Sequence, residues 1–289
     1  MFMKNRADET EKQEMLACFQ ILSDTHIRSD DNHLYNRHLR LALEDIASSE
    51  YVSESCGIMH AGDITDHGLI EEYEALQRIL RDYENRLPAI AYTVGNHDVS
   101  LGDWAYRMQG YETVSGRRDT YHDHWIGGYH FVFLGTERGL ERFATLSETQ
   151  LGWLDEKLGE DAATGKPVFV FLHQPLKNTV AGSLEHQAWF GVEEDEELRS
   201  VLLKHPRALL FTGHTHWHLE SPHTMHRAGE RGPVMFNTAS VAYLWNDDDV
   251  YVQGSQGYYV EIYANKVRVR GRNFAEGSWL AAADFEVEF

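Results

Sequence analysis

Five short phrases carry carboxylate, amide and imidazole side chains, most of them directly after an apolar run. They are Asp24-Thr25-His26, Gly62-Asp63-Ile64-Thr65-Asp66, Gly95-Asn96-His97-Asp98, Phe171-Leu172-His173-Gln174-Pro175 and Gly213-His214-Thr215-His216. Gathered in one crevice, such groups would leave charges and lone pairs uncompensated unless cations sat among them. Asp63 is the best bridging candidate, because a carboxylate has two oxygens and can hold two cations at once. Asp66 fits the role of N-cap ahead of Leu69 and is taken as structural. Asn96 offers a neutral amide oxygen suited to a hard cation, or else a turn residue after Gly95. Asp24 and His26, like His214 and His216, stand two apart, so alternation at a strand end would turn each pair to one side. Any one of these signals is weak, whereas five in order on strand-end loops point to a two-metal hydrolase.

Strands at Phe19–Leu22, Gly57–Ala61 and Ala89–Val94 must deliver the first three phrases. Helical periodicity over Leu34–Ala47 and Leu69–Tyr83 fills the gaps, a β-α-β-α-β half whose parallel strands need right-handed crossovers. In the first helix Leu34, His38, Leu41 and Asp45 share one face, and Leu39, Leu43 and Ile46 an adjacent one. The second half predicts strands at Tyr129–Leu134, Val168–Leu172 and Ala208–Phe211, with helices at Ser147–Leu158 and Glu193–Lys204. Ser147 and Gln150 have capping-box spacing. Strands at Val234–Val241, Gly257–Ala264 and Lys266–Arg272 follow, with Asn265 at a hairpin turn. Ser100–Gly128, Leu176–Gly191 and Tyr243–Gln256 read as long aromatic-rich loops, the first a possible cap (residues 100–128) over the site.

In these blocks the chain resembles the calcineurin-like metallophosphoesterases, whose pattern is D-x-H, G-D-x-x-D, G-N-H-[DE], H and G-H-x-H. Within that family the forms GDITDHG, GNHD and GHTH are most similar to the class III cyclic nucleotide phosphodiesterases. The resemblance implies an α/β, four-layer α/β/β/α sandwich with two mixed β-sheets flanked by helices. It also implies two transition-metal ions, Mn, Fe or Zn. Asp24, His26, Asp63 and His216 would hold one; Asp63, Asn96, His173 and His214 the other. A shared hydroxide would then attack the phosphorus of a small or cyclic phosphodiester. His97 would stabilise the transition state or protonate the leaving oxygen, oriented by Asp98. Many relatives carry Asp where Gly135 stands, so a residue near a ligand histidine is missing here. Phosphomonoesterase, nuclease and non-catalytic scaffold are the competing functions; the scaffold would predict missing ligands, and none is missing.

With 289 residues, 42% hydrophobic and 12% aromatic, the chain can bury one substantial core, and a single domain over 1–289 is expected, with residues 1–17 as an N-terminal extension. A net charge of −20 disfavours a long nucleic acid, while two cations could still attract a small phosphate ester locally. Cys18 and Cys56 suit free thiols in apolar runs rather than a disulfide. Residues 1–13 have no hydrophobic leader segment and no stretch is apolar enough for a membrane span, from which a cytoplasmic location is expected. His67, Trp104, Arg117, Arg118, Trp189 and His218 are candidate substrate contacts, and Lys177 is a further possible phosphate partner. The aromatic segments would stack a nucleobase, favouring a diester over a bare monoester.

Overall fold

The computed structural model describes residues 14–161 and 164–289. Strands β1 (Ala17–Leu22), β2 (Ser55–His60) and β3 (Ile90–Tyr92) alternate with helices α1 (Leu34–Ala47) and α2 (Ile70–Arg81). The single turn α3 (Asn96–Val99) and helix α4 (Trp104–Ser115) lead to β4 (His122–Ile126) and β5 (Tyr129–Phe133). Then come α5 (Glu148–Asp161), β6 (Val168–Phe171), α6 (Asp195–Leu203) and β7 (Ala208–Thr212). The remainder is β: β8 (Met225–Arg227), β9 (Val234–Asn237), β10 (Leu244–Trp245), β11 (Tyr251–Val252), β12 (Gln256–Ile262), β13 (Lys266–Asn273) and β14 (Ser278–Glu288).

Two six-stranded mixed sheets form, in the orders β14-β13-β12-β1-β2-β3 and β4-β5-β6-β7-β9-β8. Strands β1, β2 and β3 are parallel, as are β5, β6, β7 and β9, so their carboxyl ends share an edge. Period-two alternation divides each strand between two cores. In β6, Phe169 and Phe171 join Phe19, Phe131, Phe133, Phe211 and Phe236 between the sheets, while Val168 and Val170 face the α5 and α6 side with Leu154, Leu198 and Leu202. On the other flank α1 and α2 bury Leu39, Leu43, Ile46, Leu76 and Ile79 in a third core with Ile58 and Tyr92. These are the four layers that the resemblance implies.

Several local expectations change. Leu41 is 45% exposed, because the buried stripe of α1 runs through Leu39, Ala42, Leu43 and Ile46. Residues 100–128 are not a loop: α4 packs on α2 and α3, with Trp104 against the outer core, and β4 pairs with β5 as an edge strand. The segment therefore extends the layers. The third expected loop contains the β10–β11 hairpin, and β14, beyond the last expected strand, pairs antiparallel with β13. The strand expected to reach Val241 ends at Asn237, where Thr238–Ala242 turn toward the end of β1. Of the N-terminal extension, residues 1–13 lie outside the described residues. Among the described residues no helix is long and apolar enough to cross a membrane. Both cysteines are free, Cys18 buried and Cys56 half-buried.

Candidate metal centre

Each phrase continues from the carboxyl end of a parallel strand, and the loops are stitched to one another by backbone bonds. Asp24 and His26 donate their N–H groups to Gly62 and Asp63 carbonyls at 2.9 and 3.1 Å, and Gly213 donates to His173 at 3.0 Å. The side chains converge through the left-handed backbone, not through strand alternation. Asp24, His26, Asp63, His214 and His216 have φ of 52, 43, 50, 70 and 57°, a region costly for residues with a Cβ. Such a concentration of unfavourable torsions persists only where the surroundings enforce it. Two glycines make the close approach possible. A Cβ on Gly95 would overlap Asp63, and one on Gly213 would overlap Ser23 and Asp24.

Asp24, His26, Asp63 and His216 bring one donor atom each within 4.8 Å of one another, and Asp63, His173 and His214 do the same, with Asp63 common to both groups. Asn96 Oδ1 lies 3.0 Å from His214 Nδ1. All seven side chains are buried. The donor set fits cations on the evidence of its own lone pairs. His173 donates Nδ1–H to the Ala61 carbonyl at 2.9 Å, so Nε2 of the neutral ring carries a lone pair, 3.0 Å from Asp63 Oδ2. His26 Nε2 stands 3.1 Å from His216 Nε2, which lies 2.9 Å from Asp24 Oδ1. Between such atoms something positive must sit, a proton or a metal.

Protons supply that charge when metal is absent. Burial opposes charge on His26 and His173, yet Asp24, Asp66 and Asp63 overcome it and push these rings up to about 10 and about 9. Burial likewise opposes ionisation of Asp24 and Asp63, and the neighbouring imidazoles outweigh it, holding both carboxyls well below the usual range. His214 is lowered to about 3 by burial and the nearby His173.

Around this centre several expectations are revised. Asp66 does not cap α2: Leu69 occupies that position, and Glu72 accepts from the His67 and Leu69 N–H groups. Asp66 instead faces His26 Nδ1 at 3.2 Å and pairs with Arg28, so it orients a candidate ligand. Asp98 does not touch the His97 ring. Its buried carboxylate accepts from the Ile64, Thr65 and Gly95 N–H groups, from Thr65 Oγ1 and from Tyr73, fastening two ligand loops together. His97 is oriented by the Asp66 carbonyl, 2.7 Å from Nδ1, while its own N–H donates to Asp63 Oδ1 at 2.8 Å. At Gly135 a Cβ would strike the Thr120 carbonyl and Val94. Ser147 Oγ accepts from the Gln150 N–H at 3.1 Å, as its spacing predicts, while the Gln150 side chain bonds both backbone groups of Gly135 and Glu137 takes the Ser147 N–H. Sequence reasoning also passed over His60, whose ring accepts from Gly62 N–H at 3.2 Å and reaches Thr25 Oγ1 at 3.0 Å, bracing the first two phrases.

The candidate substrate contacts divide. His67 is 46% exposed beside Asp66 and Glu72, and His218 pairs with Glu220. Arg118 binds Glu112 in solvent, Arg117 lines a cavity on another flank, and Lys177 lies over the Phe190 ring. Trp189 packs edge-on against Trp217 and tilted against Trp245. The aromatic ring lying against the centre is Tyr243, 4.4 Å from His216 and 5.7 Å from His26 between ring centroids. Tyr35 and Tyr251 stack on it at 5.4 and 5.8 Å. The signal was at the end of β9: Val241 and Ala242 N–H donate to the Ser23 and Asp24 carbonyls, so this parallel strand also delivers its loop to the crevice.

Residues 19–218 match the calcineurin-like phosphoesterase family model, about two thirds of the chain. The chain belongs to the calcineurin-like phosphoesterase family. This phosphoesterase is 25% identical over 195 residues to a 3′,5′-cyclic-nucleotide phosphodiesterase of Nostoc sp., covering 66% of the chain and 68% of the relative. It is 27% identical over 202 residues to a cAMP/cGMP dual specificity phosphodiesterase of Mycobacterium tuberculosis, covering 64% of the chain but 59% of that protein. Purple acid phosphatase from yellow lupin seeds shares the fold with a TM-score of 0.71 at 14% identity, over 94% of this chain and 53% of the plant enzyme. GAP50 of Plasmodium does so with a TM-score of 0.61 at 10% identity, over 94% and 88% of the two chains.

Proposed function

We propose that this phosphoesterase hydrolyses small phosphodiesters, cyclic nucleotides among them, using two metal ions. Asp24, His26, Asp63 and His216 would hold one ion, and Asp63, Asn96, His173 and His214 the other, drawn from Mn, Fe and Zn. The observation that carries the reading is the set of buried lone pairs facing one another across the crevice, above all His173 Nε2 against Asp63 Oδ2 at 3.0 Å. When bound, a metal pair supplies Lewis-acid charge at the phosphoryl oxygens and an activated water nucleophile.

The chain's own residues do the rest. Asp66 and the Ala61 carbonyl hold His26 and His173 at fixed rotations. His97 gives its Nδ1–H to the Asp66 carbonyl, which leaves Nε2 as the free position; carrying a second proton in the imidazolium form, that nitrogen would stabilise or protonate the leaving oxygen. Arg28, the cation beside the centre, is already paired with Asp66, which leaves little to select the second charge of a monoester. The tyrosines at the His26 and His216 side suit a nucleobase, and the relatives' activity on cyclic nucleotides supports the same class. We take the chain as one domain, and a cytoplasmic location agrees with its free cysteines.

The test is a rate comparison with Mn²⁺: bis(p-nitrophenyl) phosphate and 3′,5′-cyclic AMP should be hydrolysed with higher kcat/KM than p-nitrophenyl phosphate. A preference for the monoester would replace the diester reading with phosphomonoesterase.

A further inference from the structure

The phrase Phe171-Leu172-His173-Gln174-Pro175 supplies His173 to the centre, and the glutamine beside it is not among the candidate ligands. Gln174 is nonetheless only 1% exposed, and burying an amide without partners is costly. Its Nε2 meets two acceptors, Asn96 Oδ1 at 3.3 Å and the Arg142 carbonyl at 3.4 Å. Gly191 makes this crossing of chains possible, since a Cβ there would lie 2.8 Å from the Arg142 carbonyl oxygen and 3.3 Å from Gln174 Cγ.

These contacts fix which way two amides face. A side-chain amide has an oxygen at one corner and an NH2 at the other, nearly equal in shape and opposite in hydrogen bonding. A backbone carbonyl can only accept, so the corner of Gln174 against Arg142 is the NH2. That NH2 carries two hydrogens, one for each acceptor, and the corner of Asn96 that meets it must be the oxygen. An Asn96 turned over would set NH2 against NH2. His214 Nδ1, 3.0 Å from the same oxygen, donates there in only one of the two tautomers of the neutral ring, whereas Gln174 donates in both cases.

We propose that Gln174 is a positioning residue for the second metal: it holds the Asn96 amide with Oδ1 toward His214 and fastens that orientation to the Arg142 backbone. This role rests on the two-metal reading. Asn96 needs such a partner more than the carboxylate ligands do, because an Asp turned over still presents an oxygen, while an Asn turned over presents hydrogens that no cation can bind. Residues that orient ligands in this way typically carry roughly 10–100-fold of metal affinity.

The test is isothermal titration of Mn²⁺ into the chelated full chain. Two equivalents are expected, the second metal being the one lost in His214→Ala. Gln174→Met keeps the length of the side chain and removes the donor, so it should weaken that equivalent about tenfold and leave the other within about twofold. Gln174→Leu should do the same, so that poor folding of one variant, read by circular dichroism, still leaves the other. The decisive comparison is in the Asn96→Asp background. A carboxylate cannot be turned the wrong way, and Gln174→Met should there cost less than about twofold. A glutamine that merely fastened loops together would cost the same in both backgrounds, and that result overturns the proposal. So does wild-type uptake of two equivalents with affinities that Gln174→Met leaves unchanged. If the wild-type chain takes up no Mn²⁺, the two-metal reading fails and this role with it.

Discussion

The space between the two sheets and the crevice at their carboxyl edge are fed by the same strands and built on opposite principles. Phe171 lies in an aromatic layer where each ring meets others, at 4.9 Å from Phe133 and 5.6 Å from Phe211. Two residues later, His173 turns a buried Nε2 toward Asp63 Oδ2 at 3.0 Å, a pair of atoms that needs a proton or a cation between them. Burial of a Phe side chain contributes about 1.5–3 kcal/mol, whereas each left-handed residue in the crevice costs about 1–3 kcal/mol and its buried charges cost more. The interior therefore supports a crevice that its own contacts could not maintain. A satisfied layer fixes the positions, and the unsatisfied edge is what remains available for a ligand.

The largest effect expected from breaking this division is at Asp63, the donor common to both groups. Asp63→Ala should lose both metal equivalents by elemental analysis and lower turnover by roughly 10³-fold or more, while circular dichroism remains that of a folded chain. Full activity in protein shown to be metal-free would sink the mechanism. The opposite dissociation is expected in the interior. Phe171→Ala should lower stability to urea by about 3–5 kcal/mol yet keep its metal content at temperatures where it stays folded. If the interior change stripped the metals from folded protein, layer and edge would not be separable.

How much was legible follows from the same contrast. Strand ends, and the phrases that converge in the crevice, were readable because short apolar runs followed by Asp, Asn or His keep their meaning out of context. The role of Asp66 was not, since N-cap and ligand-orienting partner require the same residue type, and only the position of His26 distinguishes them. Asp98 was misread for a similar reason. Adjacency to His97 in the chain says nothing of direction, and its carboxylate turns back toward Thr65 and Gly95. Residues 100–128 read as loop because α4 has no clear apolar stripe and buries only Gly110 and Tyr111. The left-handed torsions at Asp24 and His26 could not be read from residues that usually avoid them.

A smaller effect concerns pH and sharpens the role of protons at the unsatisfied edge. In chelated protein His26 and His173 are raised to about 10 and about 9 by their carboxylate neighbours. Groups raised on folding contribute stability that is complete below the unfolded value near 6.5 and is lost as pH rises through the folded values. Chelated protein should therefore lose roughly a few kcal/mol between pH 7 and pH 10. Metal-loaded protein should not lose it by this route, because the metals, not protons, then meet the imidazoles. The measured quantity is the Tm difference between the two forms. It should widen over that range, and parallel curves would mean that these rings carry no such protons.

The smallest expected effect separates two aromatic regions. Trp104 belongs to the outer core beside α2, whereas Tyr251 is 46% exposed and stacks on Tyr243, which lies against His216 and His26. A base resting on the Tyr251 face would gain about 1–3 kcal/mol from stacking, and the lower value is apt for a half-exposed ring. Tyr251→Ala should then raise KM for 3′,5′-cyclic AMP roughly fivefold while leaving bis(p-nitrophenyl) phosphate, which has no nucleobase, much less changed. Trp104→Ala should lower Tm and leave the ratio of the two KM values alone. Should Trp104→Ala shift that ratio and Tyr251→Ala not, the base would lie toward α4, and the tyrosines would be packing for the β10–β11 hairpin.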